Sequence, residues 1–431
     1  MDIDRDRIAN DLERLVAIPS IAFAGFPRAP LDDAATLVEA LLRDAGAEPR
    51  RIEVPDEAPA IYAELDGPGP TVLLYAHYDV QPAPPEGWDT DPFTPTHKDG
   101  RLHGRGAADD KSGIAAHLAA LRALGGRPPV RTKILIEGAE ENGRQRLLEV
   151  VDRDPDLMRA DVLVIADTGN WRVGEPTLAQ TLRGHGKLTV TLSTLEGALH
   201  SGQFGGAAPD ALLALSRLIA SLHHDDGSVA VEGLTDQDWE GADWPDFRSQ
   251  AGVLDGVELV GSGRIADRVW TRHAISVLGL DAPAVETAGN VVIPSARALI
   301  AVRVPPGADP EASMAAVERH VRAHAPWGAR LEIDVTPAST AIALPVLPEA
   351  ERALERAYGK PVARMGSGGS VPLVAKLHAT YPDAAIVIWG AQDSEQARIH
   401  AANESVDLEE VAKLALAEAL LLAELAPGGE Q

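Results

Sequence analysis

Apolar, β-rich runs recur along this chain, and each one hands over to a histidine or a carboxylate. TVLLYAH (71–77) leads through His77 to Asp79, TKILIEGAEENG (132–143) to Glu140 and Glu141, and DVLVIADTGN (161–170) to Asp167. AAIVIWG (384–390) is followed ten residues later by His400. Helical patterns such as SGIAAHLAALRALGG lie between the runs. Strands alternating with helices imply an α/β fold with a mostly parallel sheet and helices on both faces. Ligands of such sheets gather beyond the carboxyl ends of the strands. One polar residue at one strand end says little, because every strand surfaces somewhere. Strand after strand ending in His, Asp or Glu argues for a shared ligand.

Composition narrows what that ligand is. A chain of 431 residues is too long for one ordinary core and implies two or three domains. With 45% hydrophobic and 24% charged residues it reads as globular rather than disordered. The net charge of 39 − 65 = −26 argues against nucleic acid or an anionic membrane as partner. There is no cysteine, which excludes disulfides, thiolate catalysis and Cys-ligated zinc, so any metal must sit on His, Asp and Glu. In MDIDRDRIANDLERLVAIPS, Ile8, Leu12, Leu15 and Val16 fall at helical spacing, which marks an amphipathic helix and not a signal peptide. LALAEALLLAELA is interrupted by Glu418 and Glu424 and is too short and polar to span a bilayer. A cytoplasmic protein is expected.

The loop GRLHGRGAADDKSG (100–113) adds Asp109 and Asp110. It lacks the third glycine of a dinucleotide fingerprint, and its acidic pair would repel phosphate and suits a cation. GSGGS (366–370) is not a G-x-S-x-G elbow, which argues against a serine hydrolase. Of the 13 histidines, His97, His117, His223, His224, His320 and His324 carry no usable context. His77 taken alone is more often structural than a ligand. Asp79 two residues on changes that balance, since a carboxylate orienting the far imidazole nitrogen is the common support of a metal-bound histidine. Glu140–Glu141, directly after a buried strand, read as one ligand and one base.

HYDVQP, GWDTDPF, DGRLHGRGAADDKSG, EGAEENG, ADTGN, LHSGQFGG and GSGGSVP occur in the order seen in a di-zinc amidohydrolase family. The chain resembles that family, which includes carnosinase-like dipeptidases, aminoacylases, acetylornithine deacetylase, succinyl-diaminopimelate desuccinylase and carboxypeptidase G, from about residue 5 to 425. The resemblance implies two divalent ions, zinc with cobalt or manganese as alternatives. One would be held by His77 and Asp167, the other by Glu141 and His400, with Asp109 bridging. It also implies that Asp79 orients His77, that Glu140 is the general base, and that the Asp109–Asp110 peptide is cis.

Residues 186–338 read differently from the flanking segments 1–185 and 339–431. GKLTVTLS and RLEIDVTP alternate, SARALIAVRV is a strand, and PDALLALSRLIASL and DPEASMAAVERHVRAH are helical. This resembles the α+β lid and dimerisation domain inserted into the catalytic domain of the family, and a homodimer is expected. TDQDWEGADWPDFRSQAG (235–252) reads as a surface elaboration. The resemblance assigns His200 to the substrate carbonyl, acting from the neighbouring subunit, and Arg303, on what reads as an edge strand, to the substrate carboxylate. Gly369 and Ser370 would offer donors to the same carboxylate, and Asn290 is a further candidate.

Three functions compete: a dipeptidase, an N-acyl-amino-acid deacylase, and an inactive, metal-stabilised interaction protein. An inactive descendant would have lost part of the ligand set, and none of it is missing. Asp167 resembles the dipeptidase and aminopeptidase members, whereas the deacylases and carboxypeptidase G usually carry Glu there. The expected function is therefore cleavage of small dipeptides with a free C-terminal carboxylate.

Overall fold

The computed structural model describes residues 1–369 and 372–428. Two compact units are present. One is built from Met1–Gln180, Leu344–Met365 and the chain from Pro372 onward; the other is Thr181–Ala343 with the short return that begins at Gly366.

The first unit carries a six-stranded sheet in the spatial order Arg50–Ile52, Ala60–Leu65, Arg131–Glu137, Thr71–His77, Val162–Ile165, Ala385–Ile388. The last four strands run parallel, and Ala60–Leu65 and Arg50–Ile52 continue the sheet antiparallel. Leu73 and Tyr75 are as completely buried as Val72 and Leu74, so both faces of Thr71–His77 are covered. That explains why the strand is apolar throughout rather than alternating. In helix Lys111–Ala123 every residue from Lys111 to Leu121 is buried, and its run of alanines lets it lie close to the sheet. Helix Arg5–Val16 starts on Asp4, whose side chain accepts the Arg7 amide, and buries Ile8, Leu12, Leu15 and Val16. Each such side chain contributes about 1.5–3 kcal/mol of burial.

Two residues whose roles the sequence left open are placed here. His117 is a buried core residue, its Nδ1 2.7 Å from Glu418 and its Nε2 3.1 Å from the Tyr75 carbonyl. Glu418, which interrupts an apolar helix in the sequence, is the buried partner of that histidine. Among the described residues no helix is long and apolar enough to cross a membrane.

The second unit is a four-stranded antiparallel sheet in the order Ala274–Asp281, Ser295–Val304, Gly184–Ser193, Arg330–Thr336. Leu188, Val190 and Leu192 alternate onto one face and pack with Leu215 and Leu218 of helix Ala211–Ala220 and with Val317 and Val321 of helix Pro310–Ala323. Arg303 therefore lies on an interior strand, not on an edge as the sequence suggested, because sheet order is set by tertiary pairing that local spacing does not reveal. The 235–252 stretch is more than surface. Trp239 is buried and meets Trp270 edge-on at 5.2 Å, while Trp244 stacks on Trp270 at 5.7 Å.

Candidate metal centre

Strand Thr71–His77 delivers His77 into a fully buried position at its carboxyl end. Its Nδ1 lies 3.1 Å from the Asp79 carbonyl and 3.4 Å from Asp79 Oδ1. A proton on Nδ1 leaves the Nε2 lone pair free for a cation. Nε2 faces Asp109 Oδ1 at 3.1 Å and Asp167 Oδ1 at 3.9 Å. On the other side of the same carboxylate, Asp109 Oδ2 is 3.0 Å from His400 Nε2, which is also 3.2 Å from Glu141 Oε2. Two groups result, His77–Asp109–Asp167 and Asp109–Glu141–His400, each with its ligand atoms within 4.8 Å of one another and both sharing Asp109.

The supports come from distant parts of the chain. Asp79 is fully buried, and its two oxygens accept the amides of Glu140 and Glu141 at 3.0 Å each. It thus organises the loop after strand Arg131–Glu137 as well as His77. Glu404 accepts the amides of Ala108 and Asp109 with one oxygen, both at 3.0 Å, and pairs with Arg105 at 2.5 Å through the other. Asp110 accepts the His77 amide at 3.2 Å, and Gln81 donates to Glu141 Oε2 at 2.7 Å. The Asp109–Asp110 peptide is cis. His400 has φ 62° between Arg398 (51°) and Asn403 (62°), a left-handed stretch of the kind that persists where surrounding structure enforces it.

Sequence reasoning missed Glu404, Gln81 and the structural role of Asp110. Glu404 stands four residues after His400 in RIHAANES, and nothing in that spacing marks it.

The donor set fits divalent cations. Burial raises Asp167 and Asp110 well above the carboxylate range, with Asp109's charge adding to both. Burial lifts Glu140 to about 7, helped by Asp79, Glu141 and Asp109 and opposed by His77. Hydrogen bonds to Asp109 and Glu141 lift His400 to about 10. Carboxylates crowded in this way lack positive charge, and His and carboxylate donors accept Zn²⁺, Co²⁺ or Mn²⁺.

The remaining site residues of the sequence reading belong to the second unit. His200 is exposed and caps a short helix, its Nδ1 accepting the Gly202 amide at 3.1 Å. Arg303 is partly buried, and Gly369 donates its amide to Ser367 Oγ at 3.2 Å. Asn290 accepts the Ser201 amide through its carbonyl at 3.0 Å. Ser370 lies outside the described residues.

Residues 73–424 match the model of peptidase family M20/M25/M40. The chain belongs to that family. It is 40% identical over 435 residues to a cysteinylglycine-S-conjugate dipeptidase of Corynebacterium striatum, covering 97% of this chain and 95% of that protein. A Beta-Ala-His dipeptidase of Rattus norvegicus is 36% identical over 257 residues, a match spanning 55% of this chain and about half (52%) of that protein. Among solved structures, human carnosine dipeptidase 1 superposes with a TM-score of 0.82 at 24% identity, covering 98% of this chain and 96% of that one. The M20 metallo-carboxypeptidase Sso-CP2 of Sulfolobus solfataricus gives 0.82 at 22% identity, covering 98% and 99%. At those identities the likeness concerns the fold, and it covers nearly all of this M20 peptidase.

Proposed function

We propose that this M20 peptidase is a metal-dependent dipeptidase acting on small dipeptides with a free C-terminal carboxylate. The observation that carries the reading is the Asp109 carboxylate, which turns one oxygen to each of two histidine-and-carboxylate groups. The 40% identity to a dipeptidase along nearly the whole chain supports the substrate class.

His77, Asp109 and Asp167 would hold one divalent ion, and Asp109, Glu141 and His400 the other, with zinc as the proposed metal. Such a pair, when bound, lowers the pKa of a water and polarises the scissile carbonyl. Glu140 takes up the proton of the attacking water and returns it to the leaving amine. Its backbone amide donates to Asp79 at 3.0 Å, which fixes the point from which its side chain reaches. Asp79 also holds Nδ1 of His77 and so keeps Nε2 turned to Asp109. In the second unit, Arg303 receives the substrate carboxylate through its planar fork, joined by Gly369 and Ser370. His200 donates from Nε2 to the substrate carbonyl, because its Nδ1 is already an acceptor. It would act across a homodimer. Strand Ala274–Asp281 supports that assembly, being a sheet edge on which Val277, Leu278 and Leu280 are 42%, 54% and 47% exposed.

The test is a panel of unblocked dipeptides, N-acetyl and N-succinyl amino acids, each with added Zn²⁺, Co²⁺ or Mn²⁺. Dipeptides should have the higher kcat/KM. Faster turnover of N-acyl amino acids would make the chain a deacylase with the same metal chemistry. Glu140→Gln should retain metal and lose about 10²–10⁴-fold in kcat; near-normal kcat would remove Glu140 from the role of base.

A further inference from the structure

One buried cation of the second unit has no part in the scheme above. Arg183, just ahead of strand Gly184–Ser193, is 8% exposed. Its guanidinium donates to backbone carbonyls, from Nε to Gly368 at 3.2 Å and from Nη1 to Arg272 at 3.4 Å, and its amide donates to the Gly369 carbonyl at 3.1 Å. Among the described residues no carboxylate offsets it. Burial, and then the like charge of Arg303, bring it down to about 10, so it stays protonated at neutral pH. His185 stands opposite Arg303 in the sheet, and burial, with Arg303 and Lys187, lowers it to about 4. It is therefore neutral and adds no charge beside Arg183 and Arg303.

The glycine segment 366–369 is moulded onto this arginine. A Cβ at Gly366 would fall 2.5 Å from Trp270 Cβ and 2.6 Å from Thr181 Oγ1. A Cβ at Gly368 would fall 3.1 Å from Arg183 Nη2 and 3.4 Å from Val269 Cγ1. Val269 and Trp270 lie on the π-helical turn Asp267–Thr271, a backbone form that recurs at functional sites. The segment is thus fixed by backbone bonds to Arg183 on one side and by the tryptophan-bearing turn on the other. A buried guanidinium without an acidic partner, beside a second one, is relieved by an arriving anion.

We propose that Arg183 is a positioning residue for the substrate carboxylate: it anchors segment 366–369 through Gly368 and Gly369, and its uncompensated charge helps to draw the carboxylate toward Arg303. This rests on the dipeptidase reading, in which Arg303 and that segment receive the carboxylate.

The test compares kcat and KM for alanyl-glycine and for its C-terminal amide. In Arg183→Met, KM for alanyl-glycine should rise about tenfold or more with kcat changed less than about threefold, while the amide is unaffected. Arg183→Lys, which keeps the charge without the fork, should recover part of the preference. A wild-type enzyme that does not distinguish the two substrates would overturn the carboxylate reading itself. A wild-type preference that survives intact in Arg183→Met, or a fall in kcat shared by both substrates, would overturn the role of Arg183 alone. Should Arg183→Met fail to fold, Gly368→Ala decides. Its methyl presses on the same guanidinium without deleting a buried charge, and it should cut the preference about threefold or more. An unchanged preference there refutes the proposal.

Discussion

Asp79→Asn tests how the metal centre is built. The Asp79 carboxylate is fully buried and accepts the Glu140 and Glu141 amides at 3.0 Å, with His77 Nδ1 3.4 Å from one of its oxygens. Asparagine keeps one carbonyl oxygen and presents an NH₂ in place of the other. One backbone donor then faces another donor. A hydrogen bond to a charged group is worth about 1.5–3 kcal/mol, and a buried unpaired N–H costs about 1–3 kcal/mol. These overlap, because they describe the same lost bond. Loss of a negative charge relieves crowding beside Glu140 but removes a favourable partner of His77, so the net cost to the metal-free protein should be about 1–3 kcal/mol. Metal affinity should suffer more, since the substitution loosens both His77 and the loop carrying Glu141; a fall of about 10–100-fold is expected. Competition with a chromophoric chelator gives the affinity, and urea unfolding of the metal-free protein followed by circular dichroism gives the stability. If both stay at wild-type values, Asp79 does not organise the centre and the two amide bonds are incidental.

Chelation should abolish activity and lower the melting temperature, the loss reaching about 4 kcal/mol where free metal had stood at a thousand times its Kd; activity and melting indifferent to chelator would remove the metal from the reaction. Mixing Glu140→Gln with His200→Ala subunits should restore part of the activity, since one mixed site has both groups intact. Absence of complementation despite proven subunit exchange would place His200 within its own chain's site or outside the reaction.

What the sequence made legible was whatever short-range chemistry determines. A continuous apolar run such as VLLYA must be buried on both faces, so the His, Asp and Glu that follow such runs stand out against it. Leu188, Val190 and Leu192 betray a one-sided strand for the same reason. Glu404 was invisible because its partners, the amides of Ala108 and Asp109, lie about 300 residues away in the chain, 296 and 295 positions distant. Glu418 read only as a break in an apolar stretch, because its partner His117 lies 301 positions upstream. Arg183 is an ordinary arginine in TLRGHG; its lack of a carboxylate partner among the described residues and its grip on Gly368 exist only in three dimensions. The interior position of Arg303 follows from which strands pair, and alternation within one strand carries no record of its neighbours.

The charge balance of the metal centre leads to a last prediction about pH. Without cations, Asp79, Asp109, Asp110, Glu140, Glu141 and Asp167 crowd around His77 and His400. Burial lifts Glu140 from about 4.5 to about 7, and hydrogen bonds to Asp109 and Glu141 lift His400 from 6.5 to about 10. Both shifts mean that the folded, metal-free protein holds protons that the unfolded chain has released. For Glu140 the folded state therefore loses stability as pH rises from about 4.5 to about 7. For His400 the stabilisation is complete below 6.5 and is lost as pH rises toward about 10. The two windows overlap between 6.5 and about 7 and have the same sign. Divalent ions offset the negative charge directly and displace those protons, so the loaded protein should lose much less stability over the same range. The difference in unfolding free energy between loaded and chelated protein should then grow steadily from pH 5 to pH 9. Parallel pH profiles for the two forms would mean that the carboxylates of this site do not depend on bound cations for their charge balance.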